Sequence, residues 1–89
     1  VITLKGHTFA GRHSTSHLSN VGLTEFITAT PAQYVAVATE IAGDVKRLAE
    51  TRSGLRHQIV CSPLCDTTRY TCDLEAAYRR MWRRWCDAA

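Results

Sequence analysis

The stretch from Asp66 to Cys86 constrains this chain most, because Tyr70, Leu74, Ala77, Tyr78, Met81, Trp82 and Trp85 recur there at helical spacing. Pro63 stops whatever helix precedes it. Asp66 is placed to cap the next one, its carboxylate accepting from free amides of the first turn. Glu75, Arg79 and Arg83 take the opposite face, with Glu75 and Arg79 spaced as a supporting ion pair. Four of the seven aromatic residues lie on the apolar face. So much rigid apolar area needs a cover, and the plain expectation is a helix that faces a core.

A chain of 89 residues supports at most one small domain. At that size only about 60–65% of the unfolded surface is buried, so the fold is marginal unless docked or stapled. The sequence opens at Val1 without Met, and its first four residues already read as a buried strand. A piece cut from a longer chain is therefore expected. No run is long and apolar enough to cross a bilayer, and no signal-peptide pattern opens the sequence.

The net charge of +3 is modest, and Arg79, Arg80, Arg83 and Arg84 concentrate it near the end. Cations there suit the C-terminal end of a helix dipole. No other basic element or exposed aromatic platform accompanies them, so the expectation is a solvated helix face and neither a nucleic-acid nor a membrane partner. Cys61, Cys65, Cys72 and Cys86 contain no C-x-x-C pair, and no metal site is expected. Reduced, partly buried thiols in a cytoplasmic setting are the default reading.

In chain order, Val1–Leu4 is rich in β-formers. Lys5-Gly6-His7-Thr8 turns from it into a helix over about Phe9–Asn20. Strand, glycine turn and helix form the unit of open α/β sheets, in which ligands lie beyond the carboxyl ends of the strands. The turn should aim its amides and Lys5 at such a cleft, and a helix N-terminus favours anions. Gly11, Ser14, Thr15 and Ser16 permit close packing of that helix. His13 and His17 are one turn apart but have no third ligand obviously placed to complete a metal site.

Gly22 should supply a left-handed C-cap, with a turn at Leu23–Glu25 and a second short strand at Phe26–Ala29. Thr30, Pro31 and Gln33 form a capping box with proline at the first helical position. The helix they open is apolar nearly all round and stops at Gly43. Asp44 caps the next, from Val45 to about Cys61. Its stripe is Leu48, Leu55 and Ile59, with Arg52 expected to snorkel or meet an acid. Lys46, Arg47, Glu50 and Arg56 should face water.

Ser62-Pro63-Leu64-Cys65-Asp66, Tyr70, Leu74-Glu75-Ala76-Ala77-Tyr78 and Met81-Trp82 resemble the C-terminal end of the catalytic region in O-linked N-acetylglucosamine transferase/SPINDLY-like protein glycosyltransferases. Val1-Ile2-Thr3-Leu4, Gly6, Thr8, Ala10, Arg12, Ser16, Leu18 and Gly22-Leu23 follow the same family's strand, glycine loop and helix in order. The resemblance spans essentially the whole chain. It departs at Lys5, where proline is common, and at His13 and His17, where small or apolar residues are common.

The resemblance implies an α/β fold: the C-terminal fragment of a GT-B Rossmann-like domain, mostly helical, with about two short parallel strands and a long C-terminal helix. Residues 1–89 would form a single subdomain whose last helix braces the other half of the parent. The implied reaction is inverting transfer of a sugar, expected to be N-acetylglucosamine from its uridine-diphosphate donor, to Ser or Thr of proteins. The implied partners are the rest of the catalytic region and protein acceptors, with no metal or other cofactor. The family's donor-binding Lys, its His residues and its phosphate loop precede the matched stretch, so no catalytic residue carries over and the fragment alone should be inactive. Lys5, Gly6, His7, Thr8 and Arg12 are the only positions expected at the edge of the donor cleft. A free-standing helical interaction module, docking through its basic aromatic helix, is the alternative.

Overall fold

The computed structural model describes all 89 residues as two short strands and four helices. Strand β1 is Thr3–Leu4 and strand β2 is Ile27–Thr28, and the two pair in parallel with Thr3 opposite Ile27 and Leu4 opposite Thr28. Helix α1 spans Phe9–Val21, α2 Pro31–Gly43, α3 Val45–Val60 and α4 Thr67–Ala88. Short 3₁₀ turns at Thr24–Phe26 and Pro63–Cys65 join them. The second strand is thus shorter than the sequence indicates, because Phe26 closes the 3₁₀ turn and is buried there. No helix is long and apolar enough to cross a membrane.

Local chemistry sets the boundaries. Gly22 adopts φ 82°, its N–H donates to Ser19 O at 3.3 Å, and Leu23 N–H donates to Leu18 O at 2.9 Å. This is the paired arrangement that ends a helix in a left-handed residue, a conformation glycine adopts without a Cβ penalty. Asp44 and Asp66 each accept from the third residue of their helix at 2.9 Å, from Arg47 N–H and Arg69 N–H. Thr30 Oγ1 accepts from Gln33 N–H at 3.2 Å, and Gln33 Oε1 accepts from Ala29 N–H at 3.0 Å. The return bond of the capping box therefore reaches one residue further back than the usual pattern, tying β2 directly to α2.

The strands are held by more than their ladder. Thr28 is 3% exposed, and its hydroxyl donates to Thr3 O at 2.8 Å. Lys5 N–H donates to Thr28 O, also at 2.8 Å. Thr28→Val keeps the shape but removes the side-chain bond to the Thr3 carbonyl, at a cost of about 1 kcal/mol. Amide exchange at Lys5 is expected to accelerate by about tenfold, and an unchanged rate would show that the hydroxyl contributes nothing.

Only Val21, Phe26 and Ile41 form a buried apolar core, with Thr28 and Ser62 beside them. The molecule measures 59 × 29 × 15 Å, with a radius of gyration of 17.7 Å. A compact chain of this length has about 12 Å.

Several expectations change here. Helix α4 is not core-facing: Tyr70, Trp82 and Trp85 are 67%, 66% and 70% exposed, and none of its residues is buried. It packs mainly on the Pro63–Cys65 turn and, at about 33 Å long, runs off a body too small to cover it. All four cysteines are free and exposed instead of partly buried, two in the α3–α4 connection and two on this open helix. Arg47 does not simply face water. It lies between Glu40, at 3.4 Å, and Glu25, at 4.0 Å, joining α3 to α2 and to the 3₁₀ turn.

Candidate functional site

The parallel pairing brings the carboxyl ends of β1 and β2 together, so the turns into α1 and α2 leave from the same edge of the sheet. The first of these turns is Lys5–Thr8. Its shape depends on two glycines packed backbone to backbone. Gly6 N–H donates to Gly11 O at 3.0 Å, and a Cβ on Gly6 would come within 3.0 Å of Gly11 Cα. The reciprocal Cβ on Gly11 would lie 3.1 Å from Gly6 Cα. Thr8 Oγ1 accepts from Gly11 N–H at 3.3 Å and caps α1.

This corrects part of the sequence expectation. The Gly6 amide is used inside the turn and cannot serve a ligand, because the glycine pair that permits the sharp turn also consumes its donor. The N–H groups of His7, Thr8, Phe9 and Ala10 make no hydrogen bond within the chain. They are the free donors at the positive end of the α1 dipole.

Lys5, His7 and Arg12 are exposed, and neither Lys5 nor Arg12 has a carboxylate partner. No acidic residue precedes Glu25 in the sequence. Amide dipoles and side-chain charge at this turn therefore have one sign. Arg12 is set apart from the other four positions. It lies one turn into α1 beside a shallow hollow of about 350 Å³, shared with Phe9, His13, Ser16 and His17. The His13 ring meets Phe9 edge-on at 4.5 Å and His17 at 5.8 Å. Both histidines thus take part in an aromatic file along α1, and no group of three metal-ligating side chains gathers anywhere in the chain.

A second hollow, of about 450 Å³, opens between α1 and α3. Leu18, Val21, Phe26, Leu48, Leu55 and Ile59 supply its apolar wall. The stripe read from the α3 sequence therefore lines an open groove and not a closed core. Arg52 also lines it, exposed and with no acid in reach, so of the two expected roles only the snorkelling stem remains. Gln58 ties α3 to the end of α1, its Nε2 donating to Val21 O at 2.9 Å. Sequence reasoning missed this tie, since a lone glutamine on a polar helix face carries no signal of a partner 37 residues away.

The sequence model of glycosyl transferase family 41 matches residues 1–74. The chain belongs to glycosyl transferase family 41. It is 41% identical over 86 residues to a probable UDP-N-acetylglucosamine–peptide N-acetylglucosaminyltransferase SPINDLY of Hordeum vulgare, a match covering 97% of this chain. Its counterpart in Oryza sativa subsp. japonica is also 41% identical over the same length. A Caenorhabditis elegans UDP-N-acetylglucosamine–peptide N-acetylglucosaminyltransferase is 29% identical over 85 residues, covering 96% of this chain and 7% of the relative. The chain spans only about 9% of the length of the plant relatives. Family 41 membership thus rests on nearly every residue here but on a small part of each relative.

Proposed function

We propose that residues 1–89 form one subdomain at the C-terminal end of the catalytic region of a protein O-glycosyltransferase with GT-B architecture. The parent transfers N-acetylglucosamine from its uridine-diphosphate donor to Ser or Thr of protein acceptors, and this piece is inactive alone. The observation that carries the reading is the turn at Lys5–Thr8. In a family 41 chain, two parallel strands end together at a free-amide helix terminus with unpaired cations and no acid. Departure of a nucleoside diphosphate builds negative charge on phosphate oxygens, and fixed dipoles and cations stabilise that charge.

Lys5, His7, Thr8 and Arg12 then edge the donor cleft, while Gly6 shapes it. No residue here supplies a general base. The uncovered surface supports the same reading. A 9.9-kDa compact chain exposes about 5,200 Å², whereas this one exposes 7275 Å². The excess of about 2,000 Å² exceeds one partner's share of a standard interface, and it includes the apolar groove between α1 and α3 and the aromatic stripe of α4. The rest of the catalytic region is the cover assigned to it.

Titrating UDP-N-acetylglucosamine into the isolated chain while following amide shifts tests this. Binding no tighter than about 1 mM is expected, since half the cleft is missing, with the shifts centred on Lys5–Arg12. Tight binding, or shifts centred elsewhere, would remove the placement. The exposure of α4 favours a second role for the same piece, as a protein-docking element.

A further inference from the structure

We propose that His13 and His17 form a two-imidazole clamp for a divalent transition ion of the zinc type. The inference is independent of the transferase reading, because it needs only helix α1 and no donor. The two histidines stand one turn apart on one face of α1, where residues four apart are neighbours. Both are exposed, and both line the hollow beside Arg12. His57 is the only histidine with a side-chain hydrogen-bond partner, Cys61. The ring nitrogens of His13 and His17 are therefore free to bind without breaking a bond inside the chain.

The ring geometry fits an ion. Zinc lies about 2.0–2.1 Å from an imidazole nitrogen, which puts the ring centroid about 3 Å from the metal. A tetrahedral angle then sets two ligating rings about 5 Å apart, centroid to centroid. The His13 and His17 centroids are 5.8 Å apart, and their planes are inclined at 70°. Closing on an ion thus takes a movement of less than about 1 Å, within reach of side-chain rotation. Phe9 packs edge-on against His13 at 4.5 Å, which limits the freedom that ring loses on binding.

The donor atoms set the class of ion. Imidazole suits zinc, copper and nickel, whereas magnesium and calcium take oxygen ligands. No third metal-ligating side chain joins the pair, so two tetrahedral positions remain for water or an anion. Arg12 in the same hollow opposes a cation, and no acid precedes Glu25, which favours an anion at one of those positions. Halving the ligand set of a four-ligand zinc site leaves a dissociation constant between about 1 and 100 µM. The clamp is thus exchangeable. Its ligands lie together only in a helix, so the ion holds that turn of α1 closed.

Zinc titration of the unchanged chain tests the clamp, with its four exposed thiols first capped by iodoacetamide so that no thiolate competes. Capping also removes Cys61, 3.6 Å from His57, as half of a rival chelate. Calorimetry is expected to show one ion per chain, bound with a dissociation constant below about 100 µM. The ring signals of His13 and His17 should shift, and those of His7 and His57 should not. With free zinc tenfold above the dissociation constant, amide exchange between His13 and His17 should slow by about tenfold. His13→Gln and His17→Gln should each weaken binding by about tenfold or more. Spacing is tested by combining His17→Gln with Asn20→His. This keeps the number of histidines but sets the pair seven residues, about 10 Å, apart along the helix. That chain should bind no better than His17→Gln alone. Circular dichroism confirms that each variant retains its helix.

Binding weaker than about 100 µM, or shifts at His7 or His57 in place of His13 and His17, would overturn the clamp. Unchanged affinity in either single variant, or affinity restored by Asn20→His, would do the same. Magnesium in a parallel titration should leave both rings unmoved, and a response equal to that of zinc would show a charge effect without chelation. No donor is present in these measurements, so the placement of the donor cleft stands or falls apart from them.

Discussion

Replacing Gly6 with valine is expected to detach β1 from α1 and open the cationic turn. The obstacle is space. Any Cβ at Gly6 lies 3.0 Å from Gly11 Cα and 3.2 Å from Gly11 O, and neither is the movable end of a side chain. Relief requires the backbones to separate, which breaks the Gly6–Gly11 hydrogen bond and draws Gly11 N–H away from its Thr8 cap. Overpacking of this kind costs about 2–3 kcal/mol, corresponding to roughly hundredfold faster exchange at Gly6 and Gly11. Gly22→Ala is the informative comparison. There the nearest atom to a new Cβ is Gln58 Nε2 at 3.9 Å, so space is ample and only the φ of 82° is strained. That change should cost about 1 kcal/mol and act at the end of α1 alone. If Gly6→Val leaves exchange in the turn unchanged, close glycine packing does not shape this site. Lys5→Ala removes charge without disturbing the glycines, so it should weaken donor shifts while leaving exchange at Gly6 as it was.

What could be read from the sequence was what is decided locally. Gly22, Thr30-Pro31, Asp44 and Asp66 each act within four residues of themselves, and each ends or begins a helix where its chemistry places it. The parallel strands were legible for a related reason, since strand, glycine turn and helix leave few ways for the chain to return. Burial was not legible. The stripe from Tyr70 to Trp85 states that a cover is needed, but a hydrophobic period does not say which chain provides it. The stripe of α3 misled in the same way, lining a groove where a core was expected. Within the candidate site, Gly6 is legible as a turn residue, but the partner of its amide is not. Its true acceptor, Gly11 O, depends on how closely two backbones approach, and composition carries no trace of that.

Because so little is covered, the isolated chain at low micromolar concentration is expected to unfold without a sharp transition. An unfolded chain of 9.9 kDa exposes about 14,000 Å², so the 7275 Å² of the folded form means that only about half is buried. Cooperative melting needs a core whose loss anywhere is felt everywhere, and here that core is Val21, Phe26 and Ile41. The pairing of β1 with β2 and the Gln58 bridge to Val21 should hold the only strongly protected amides, near Lys5 and Leu23. Helix α4 should exchange almost as fast as a free helix of its length, for it has little tertiary contact to slow opening. Trp82 and Trp85 should fluoresce as residues in water and be quenched freely by acrylamide. Supplying the remainder of the catalytic region should close the groove and restore a single transition. A steep, concentration-independent melt of the chain alone, with both tryptophans shielded, would mean that these 89 residues cover themselves in solution. The exposed faces would then lose their role as docking surfaces.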